Sequence, residues 1–290
     1  MEDLDVLQFP TYDQYFAARE QIPALAEAPV TLLFESSRGC WWGAKSQCTF
    51  CGLNGHAIGY RSKSPVRLLA ELHALVERWP CQSIEAVDNI LDMNYFETVF
   101  PELEKMSLPG PSFFEVKANL RRRHVAQLAR AGITRIQPGI ESLSDHVLEL
   151  MRKGTTGLRN VQLLKWCREY GVAVDWNLLY GFPGERDVDY EGMLLVLPAI
   201  RHLQQPGACG PIRLDRFSPY FEAPAKHGLI NVRAMHVYRF IYPLPEIRLN
   251  EIAYYFDYDY EQSVAPSSRA LETAELAHRL RTEPCAGSLR

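Results

Sequence analysis

Residues 38–55 read RGCWWGAKSQCTFCGLNG and place Cys40, Cys48 and Cys51 in a single loop. Three thiolates so close in sequence are three metal ligands, one short of the four that a closed zinc or iron–sulfur site takes. A cubane cluster held by three cysteines keeps one iron open to a further ligand. Two plainer readings stand beside this one. His56, five residues after Cys51, completes a zinc site in the first; the cysteines are ordinary core residues in the second.

The loop follows directly on Val30–Glu35, a short apolar run rich in strand formers. From there strand-like and helix-like stretches alternate. Ser83–Val87, Ser112–Val116, Arg135–Ile140, Ala173–Leu179 and Ile212–Phe217 read as further strands. Between them, helices are expected from Pro65 onward and over Tyr95–Met106, His124–Arg130, Ser144–Met151, Leu158–Tyr170 and Asp187–Leu203. Pro206–Pro211 reads as a loop. Pro65 opens its helix, with Leu68, Leu69, Leu72, Val76 and Trp79 on one face. Six strand–helix units without a clear seventh and eighth predict an α/β fold, a partial (β/α)6 barrel of parallel strands with outer helices.

Residues 1–29 form an entry segment with a helix near Tyr12–Gln21 that Pro23 ends. Residues 30–220 make the barrel. Residues 221–290 make a small C-terminal cap, an aromatic-rich extension with a helix near Ala270–Arg281. Six tyrosines and two phenylalanines fall within 237–260. The plainer reading of that stretch is a partly buried cap; the sharper is a surface that stacks a substrate.

Composition narrows the class. The chain has 290 residues, a formal charge of −4 and 23% charged residues, ordinary values for a globular protein with no strong hold on nucleic acid. The basic run Arg121-Arg122-Arg123 reads as a solvated helix start. No stretch approaches the roughly 20 apolar residues of a membrane span, and from the acidic start MEDLDVLQFP no secretory signal is expected. Seven cysteines, with Cys81, Cys167, Cys209 and Cys285 scattered, do not form a disulfide framework. A reducing cytoplasm is expected.

In a parallel sheet the active site lies at the C-terminal ends of the strands. Polar residues fall at those ends in turn. They are Asp88-Asn89, then Glu115 and Lys117-Ala118-Asn119, then Gly139-Ile140-Glu141-Ser142. Asn177, Tyr180–Glu185 and Asp215-Arg216 follow. Six such groups on one rim, facing a cysteine loop, exceed what strand termination requires.

Over about residues 30–220 the chain resembles the radical S-adenosylmethionine (SAM) superfamily. The resemblance implies a [4Fe–4S] cluster on Cys40, Cys48 and Cys51, with the remaining iron chelated by the SAM amino and carboxylate groups. One electron then cleaves the sulfonium, giving methionine and a 5′-deoxyadenosyl radical. The cysteine spacing here is seven then two, where three then two is commonest in the superfamily. Phe50, before the last cysteine, stands where the family packs an aromatic near the adenine. By position, Asn89 meets the SAM amino group, although the family's Gly-Gly-Glu is Asp-Asn-Ile here. Glu141 bonds the ribose or a charged part of SAM, and Arg152 with Lys153 neutralises the carboxylate. Gly181 and Gly184 let backbone approach the adenine. Trp41 and Trp42 shield the cluster, line the substrate channel or simply pack.

Five blocks narrow the resemblance: ESSRGCWWGAKSQCTFCGLNG, VDNILDMNYF, PGIESLSDHVLELMRKGTT, LLYGFPGE and RLDRFSPYFE. Together they resemble the maturases of ribosomally made, post-translationally modified peptides, the peptide-maturation radical SAM protein 1 subfamily. That resemblance implies a peptide substrate, a carbon centre as the target, and a flavodoxin- or ferredoxin-like reducing protein. Several members are thought to be cobalamin-dependent C-methyltransferases. The 29 residues before Val30 are too few for the doubly wound cobalamin domain usual there, and no histidine has an aspartate two positions earlier, so the D-x-H-x-x-G ligand motif is absent. The cobalamin domain is then a separate partner protein, has been lost, or is missing because this chain is a truncated copy, and cobalamin dependence stays an open question. The alternative is a cluster-binding subunit or truncated homologue that needs that partner for turnover.

Overall fold

The computed structural model describes residues 3–53, 55, 57–106, 108–261 and 267–282; His56 and Cys285 lie outside the described residues. The chain divides into two compact units. The first comprises Met1–Trp41, Gly59–Gly139 and Lys165–Asp175; the second comprises Trp42–Ile58, Ile140–Leu164 and Trp176–Arg290.

The strands of the first unit are β1 (Thr31–Phe34), β2 (Ser37–Arg38), β3 (Arg61–Ser62), β4 (Ser83–Ala86), β5 (Ser112–Glu115), β6 (Ile133–Gln137) and β7 (Ala173–Val174). Five of them form one parallel sheet in the order β1-β4-β5-β6-β7, while β2 and β3 pair as an antiparallel ribbon. The sheet is parallel because each strand is followed by a helix long enough to return the chain. The first such helix, Pro65–Arg78, begins as the sequence predicts. The Ser64 side chain accepts from the Arg67 N–H, Pro65 occupies the first turn, and Leu68, Leu72 and Leu75 are buried. The helix expected over Tyr95–Met106 is two pieces, Tyr95–Thr98 and Phe100–Met106.

One residue on the buried face of Pro65–Arg78 is charged. Glu71 is fully buried and accepts twice from the Lys63 ammonium, at 2.8 and 2.7 Å, with Arg67 3.1 Å away. The Lys63 main chain is tied in as well: its N–H donates to Ser36 O and its carbonyl accepts from the Tyr95 hydroxyl. At the sheet edge, the Tyr12 hydroxyl accepts from the Leu33 N–H at 3.1 Å and donates to the Leu33 carbonyl.

The second unit holds β8 (Asn177–Tyr180) and β9 (Ala208–Pro211), a parallel pair, and an antiparallel sheet of β10 (Leu214–Asp215), β11 (Leu229–Ala234) and β12 (Tyr255–Tyr260) in the order β10-β12-β11. Its core gathers Val147, Leu148, Met151, Phe182, Tyr220 and Phe256. The helix Ser268–Thr282 packs on the helix Asp187–Ala199 and on β9.

Three expectations are corrected here. Pro206–Pro211 is not a loop: four of its residues form β9, parallel to β8. The sixth parallel strand is therefore β9, and Ile212–Phe217 supplies only the two-residue β10, which pairs antiparallel with β12. The strand expected over Ala173–Leu179 is broken at Asp175-Trp176 into β7 and β8, which belong to different sheets. Among the described residues, no helix is long and apolar enough to cross a membrane.

Candidate cluster and cofactor site

In the second unit the two C-terminal cysteines are held by a tight turn. The Cys51 N–H donates to Cys48 O at 3.1 Å. Thr49, between them, is buried and anchors the turn three ways. Its N–H donates to Met151 O at 3.2 Å, its hydroxyl to Leu150 O at 3.0 Å, and its carbonyl accepts from the Tyr220 N–H at 3.1 Å. Gln47 Nε2 adds a bond to Cys51 O at 3.0 Å. The Phe50 ring meets Phe182 edge-on at 5.6 Å.

Gly52 is required for that closure. A Cβ there would lie 2.0 Å from the Arg216 carbonyl oxygen, a backbone atom that cannot swing aside. Gly52→Ala is expected to cost about 1–3 kcal/mol through the forced backbone shift and to lower iron uptake by the reconstituted protein. Urea unfolding and an iron assay check the two effects.

Glu141 and Lys153 face one another beside this turn. Lys153 Nζ is 3.4 Å from Glu141 Oε1 and stands over the Phe50 ring, 5.4 Å from its centroid. Burial works against the charge of Lys153, but the Glu141 carboxylate and the Cys48 and Cys51 sulfurs outweigh it and hold its pKa above the ordinary lysine value. Glu141 has φ 57°, a left-handed backbone rarely adopted by a side chain of this kind. Its loop is pinned by the buried Asn160 amide, which donates to Ser142 O at 2.9 Å and to Ile140 O at 3.4 Å. Sequence reasoning did not single out Asn160, although a poor helix former inside a helix was the available signal.

Arg152 stands differently from its neighbour. Its side chain is exposed, its φ is also 57°, and its carbonyl accepts from the Trp42 indole N–H at 3.0 Å. The Trp42 ring lies against Gly154, where a Cβ would come within 2.1 Å of it. Lys153 rather than Arg152 is thus the cation beside the cysteine turn.

Gly181 is buried at φ 89°. Its N–H donates to Glu185 Oε2 at 2.8 Å and its carbonyl accepts from the Tyr260 hydroxyl at 2.6 Å. Burial pushes the Glu185 carboxyl above its usual range, against the hydrogen bond its Oε2 accepts from the Gly181 N–H. Glu185 therefore closes the turn after β8, and Gly184 at φ 93° completes it.

In the first unit Cys40 is half-buried and follows β2. Asn89 is half-buried after β4. Beside it, Asp88 is buried and accepts from the Ser36 and Ser37 N–H groups at 2.7 and 3.0 Å, and from the Ser36 hydroxyl. Asp88 thereby fixes the segment that leads from β1 toward Cys40. Burial dominates and pushes its carboxyl up to about 6.

Between roughly pH 4 and 6 the folded chain keeps a proton on Asp88 that the unfolded chain has lost, so this group's contribution to stability falls as pH rises through that window. Asp88→Asn keeps an oxygen for both N–H groups and cannot ionise. The variant is expected to gain about 2–3 kcal/mol on the wild type between pH 4 and pH 7. Urea midpoints compared across that range check it.

Among the described residues no three His, Cys, Asp or Glu side chains are grouped so as to hold a metal ion; the cysteines offer the donor type that an iron–sulfur cluster takes. All six described cysteines are in the thiol form, Cys40, Cys48 and Cys51 are half-buried, and a cation stands beside two of them to balance thiolate charge.

The model of the Radical SAM superfamily matches residues 34–197. An uncharacterized methyltransferase of Pyrococcus horikoshii is 23% identical over 198 residues, 67% of this chain and 41% of that protein. Among solved structures, the radical S-adenosylmethionine methyltransferase TsrM of Kitasatospora setae, with tryptophan substrate and a SAM analogue bound, has a TM-score of 0.59 at 16% identity, over 71% of this chain and 41% of its own. The cobalamin-dependent S-adenosylmethionine radical enzyme OxsB, with aqua-cobalamin bound, has a TM-score of 0.57 at 16% identity, over 85% of this chain and 40% of its own. At such identities the likeness is one of fold, the α/β arrangement of parallel strands and helices expected as a partial barrel. The chain spans about two fifths of the length of these relatives.

Proposed function

This chain belongs to the radical SAM superfamily, and on that premise we propose that it reductively cleaves SAM to modify a carbon centre, by C-methylation, on a ribosomally made peptide. The observation that carries the reading is the Cys48–Cys51 turn, with Phe50 beneath Lys153 and Glu141 paired to that lysine. Cys40, Cys48 and Cys51 would hold the [4Fe–4S] cluster. When bound, the cluster supplies the single electron that no ordinary side chain can deliver to the sulfonium. Lys153 offers a cation to the SAM carboxylate, Glu141 an acceptor to its amino or ribose groups, and Phe50 an apolar face to the adenine. Gly181, locked by Glu185 and Tyr260, presents backbone to the same ring, and Asn89 is assigned to the amino group. We take residues 30–220 as the catalytic region, 1–29 as an entry segment and 221–290 as a C-terminal extension, working in the cytoplasm with a flavodoxin- or ferredoxin-like reductant.

A second reading is favoured by the cobalamin named for OxsB and TsrM structures: a cluster-bearing subunit that turns over only with a separate cobalamin-binding protein. One experiment tests both. The anaerobically reconstituted chain should take up about four irons and about four sulfides and form 5′-deoxyadenosine from SAM and a strong reductant. Activity that needs an added cobalamin protein selects the second reading. Zinc bound without sulfide would overturn both.

A further inference from the structure

Where the long side chain of Lys153 can reach is set by the main chain beneath it, and that main chain is unusual. Lys153 follows the short helix Asp145–Leu150. Its N–H donates to Leu148 O at 2.9 Å, and the Arg152 N–H donates to Glu149 O at 2.9 Å. This pair of bonds ends a helix when the residue between them and the exit turns left-handed, a position that glycine normally takes. Here it is Arg152, at φ 57°, a conformation that a Cβ disfavours.

A disfavoured backbone persists only where the surroundings over-determine it. Trp42 acts on this one from two sides. Its indole N–H donates to the Arg152 carbonyl at 3.0 Å, which belongs to the peptide joining Arg152 to Lys153. Its ring fills the space beside Gly154, where a Cβ would fall 2.1 Å from it, and Gly154 is itself left-handed at φ 61°. One side chain therefore holds the residues on both sides of Lys153. The ammonium so placed lies 3.4 Å from Glu141 Oε1 and 5.4 Å from the Phe50 ring centroid.

We propose that Trp42 is a positioning residue for SAM: by holding the Arg152–Lys153 peptide and Gly154, it fixes the Lys153 ammonium where the SAM carboxylate binds. The inference rests on the carboxylate role given to Lys153 above. Trp42 acts through Lys153, so its influence falls on the carboxylate end of SAM and spares the rest of the molecule.

Trp42→Phe keeps a ring against Gly154 and removes the indole N–H. The test is equilibrium dialysis of the anaerobically reconstituted protein, without reductant, against SAM and against decarboxylated SAM, which lacks only the carboxylate. Trp42→Phe is expected to bind SAM about 5- to 10-fold more weakly than the wild type, the scale of one impaired charge-assisted hydrogen bond. It should bind decarboxylated SAM as the wild type does, with iron content unchanged. In a Lys153→Met background the same change should add nothing, because both substitutions remove one interaction.

Unweakened SAM binding by Trp42→Phe overturns the proposal. So does a fall in iron content, an equal loss for both ligands, or a loss that persists in full without Lys153, since each makes Trp42 a structural residue only. Failure of the underlying reading looks different. Lys153→Met alone would then bind SAM as tightly as the wild type, or the wild type would bind no SAM, and the proposal would fall with the carboxylate role.

Discussion

Cys48→Ala is expected to abolish both iron–sulfur assembly and SAM cleavage while leaving the fold intact. Three thiolates are the fewest that hold a cubane cluster with one iron open, so the loss of one leaves too few ligands. Positioning and acid–base groups contribute to rate only once an electron reaches the sulfonium, and no side chain substitutes for the cluster in supplying it. Formation of 5′-deoxyadenosine is therefore expected to fall to the level of an enzyme-free control. Stability is a separate matter. Cys48 is half-buried, and the anchors of its turn come from Thr49 and Gln47, so the urea midpoint of the metal-free protein should move by no more than about 1 kcal/mol. Cys81→Ala, outside the loop, should leave iron content and cleavage unchanged. Retention of full cleavage by Cys48→Ala would sink the assignment.

Glu71→Leu has the largest expected effect on the fold itself. It strands the Lys63 ammonium, only 3% exposed, without the carboxylate that both its short bonds reach. Removing one partner of a buried pair costs about 3–5 kcal/mol, a large part of the roughly 5–15 kcal/mol that holds a domain. The damage is not confined to the helix, because the Lys63 main chain is bonded to Ser36 and Tyr95 on the approach to Cys40. Lys63→Met introduced together with Glu71→Leu should recover most of the loss, since two apolar side chains of similar volume leave no charge unpaired. Urea titrations of the two singles and the double close the cycle. A Glu71→Leu variant as stable as the wild type would mean that water or another carboxylate satisfies Lys63.

The parts of the fold legible in the sequence are those where periodicity and capping agree. The helix from Pro65 was announced by Pro65 itself and the leucine stripe, and Thr31–Phe34 by its apolar run; the Ser64 cap became visible only in the structure. Glu71 was not legible, because helical periodicity treats a charged residue as outward and the partner that lets it point inward, Lys63, precedes the helix. Residues 206–211 hid their strand behind two prolines and two glycines, which signal a turn. Prolines are nonetheless tolerated at the first or last position of an edge strand, and Pro211 ends β9. The apolar alternation at Ile212 and Leu214 reported real burial, but packing rather than parallel pairing produced it.

The candidate site follows the same division. Spacing singled out the cysteines, and the resemblance to the radical SAM superfamily pointed to Phe50 and Glu141. It could not rank Arg152 against Lys153, adjacent and chemically alike, since only the backbone course decides which one turns toward the cysteines. Nor did it find Glu185 as the clasp on Gly181 or Asn160 as the clasp on the Glu141 loop, since both act on main-chain atoms that carry no sequence signal.

The single hydroxyl of Tyr12 on the Leu33 peptide carries a consequence unrelated to chemistry at the site. An uncovered edge strand is a template on which another chain can add itself. In the first unit that template is β1, and the entry helix region keeps it occupied through one side chain. Selection on Tyr12 would then act through solubility over the life of the protein rather than through turnover. A variant lost at this position would look healthy when freshly made and fail by slow polymerisation.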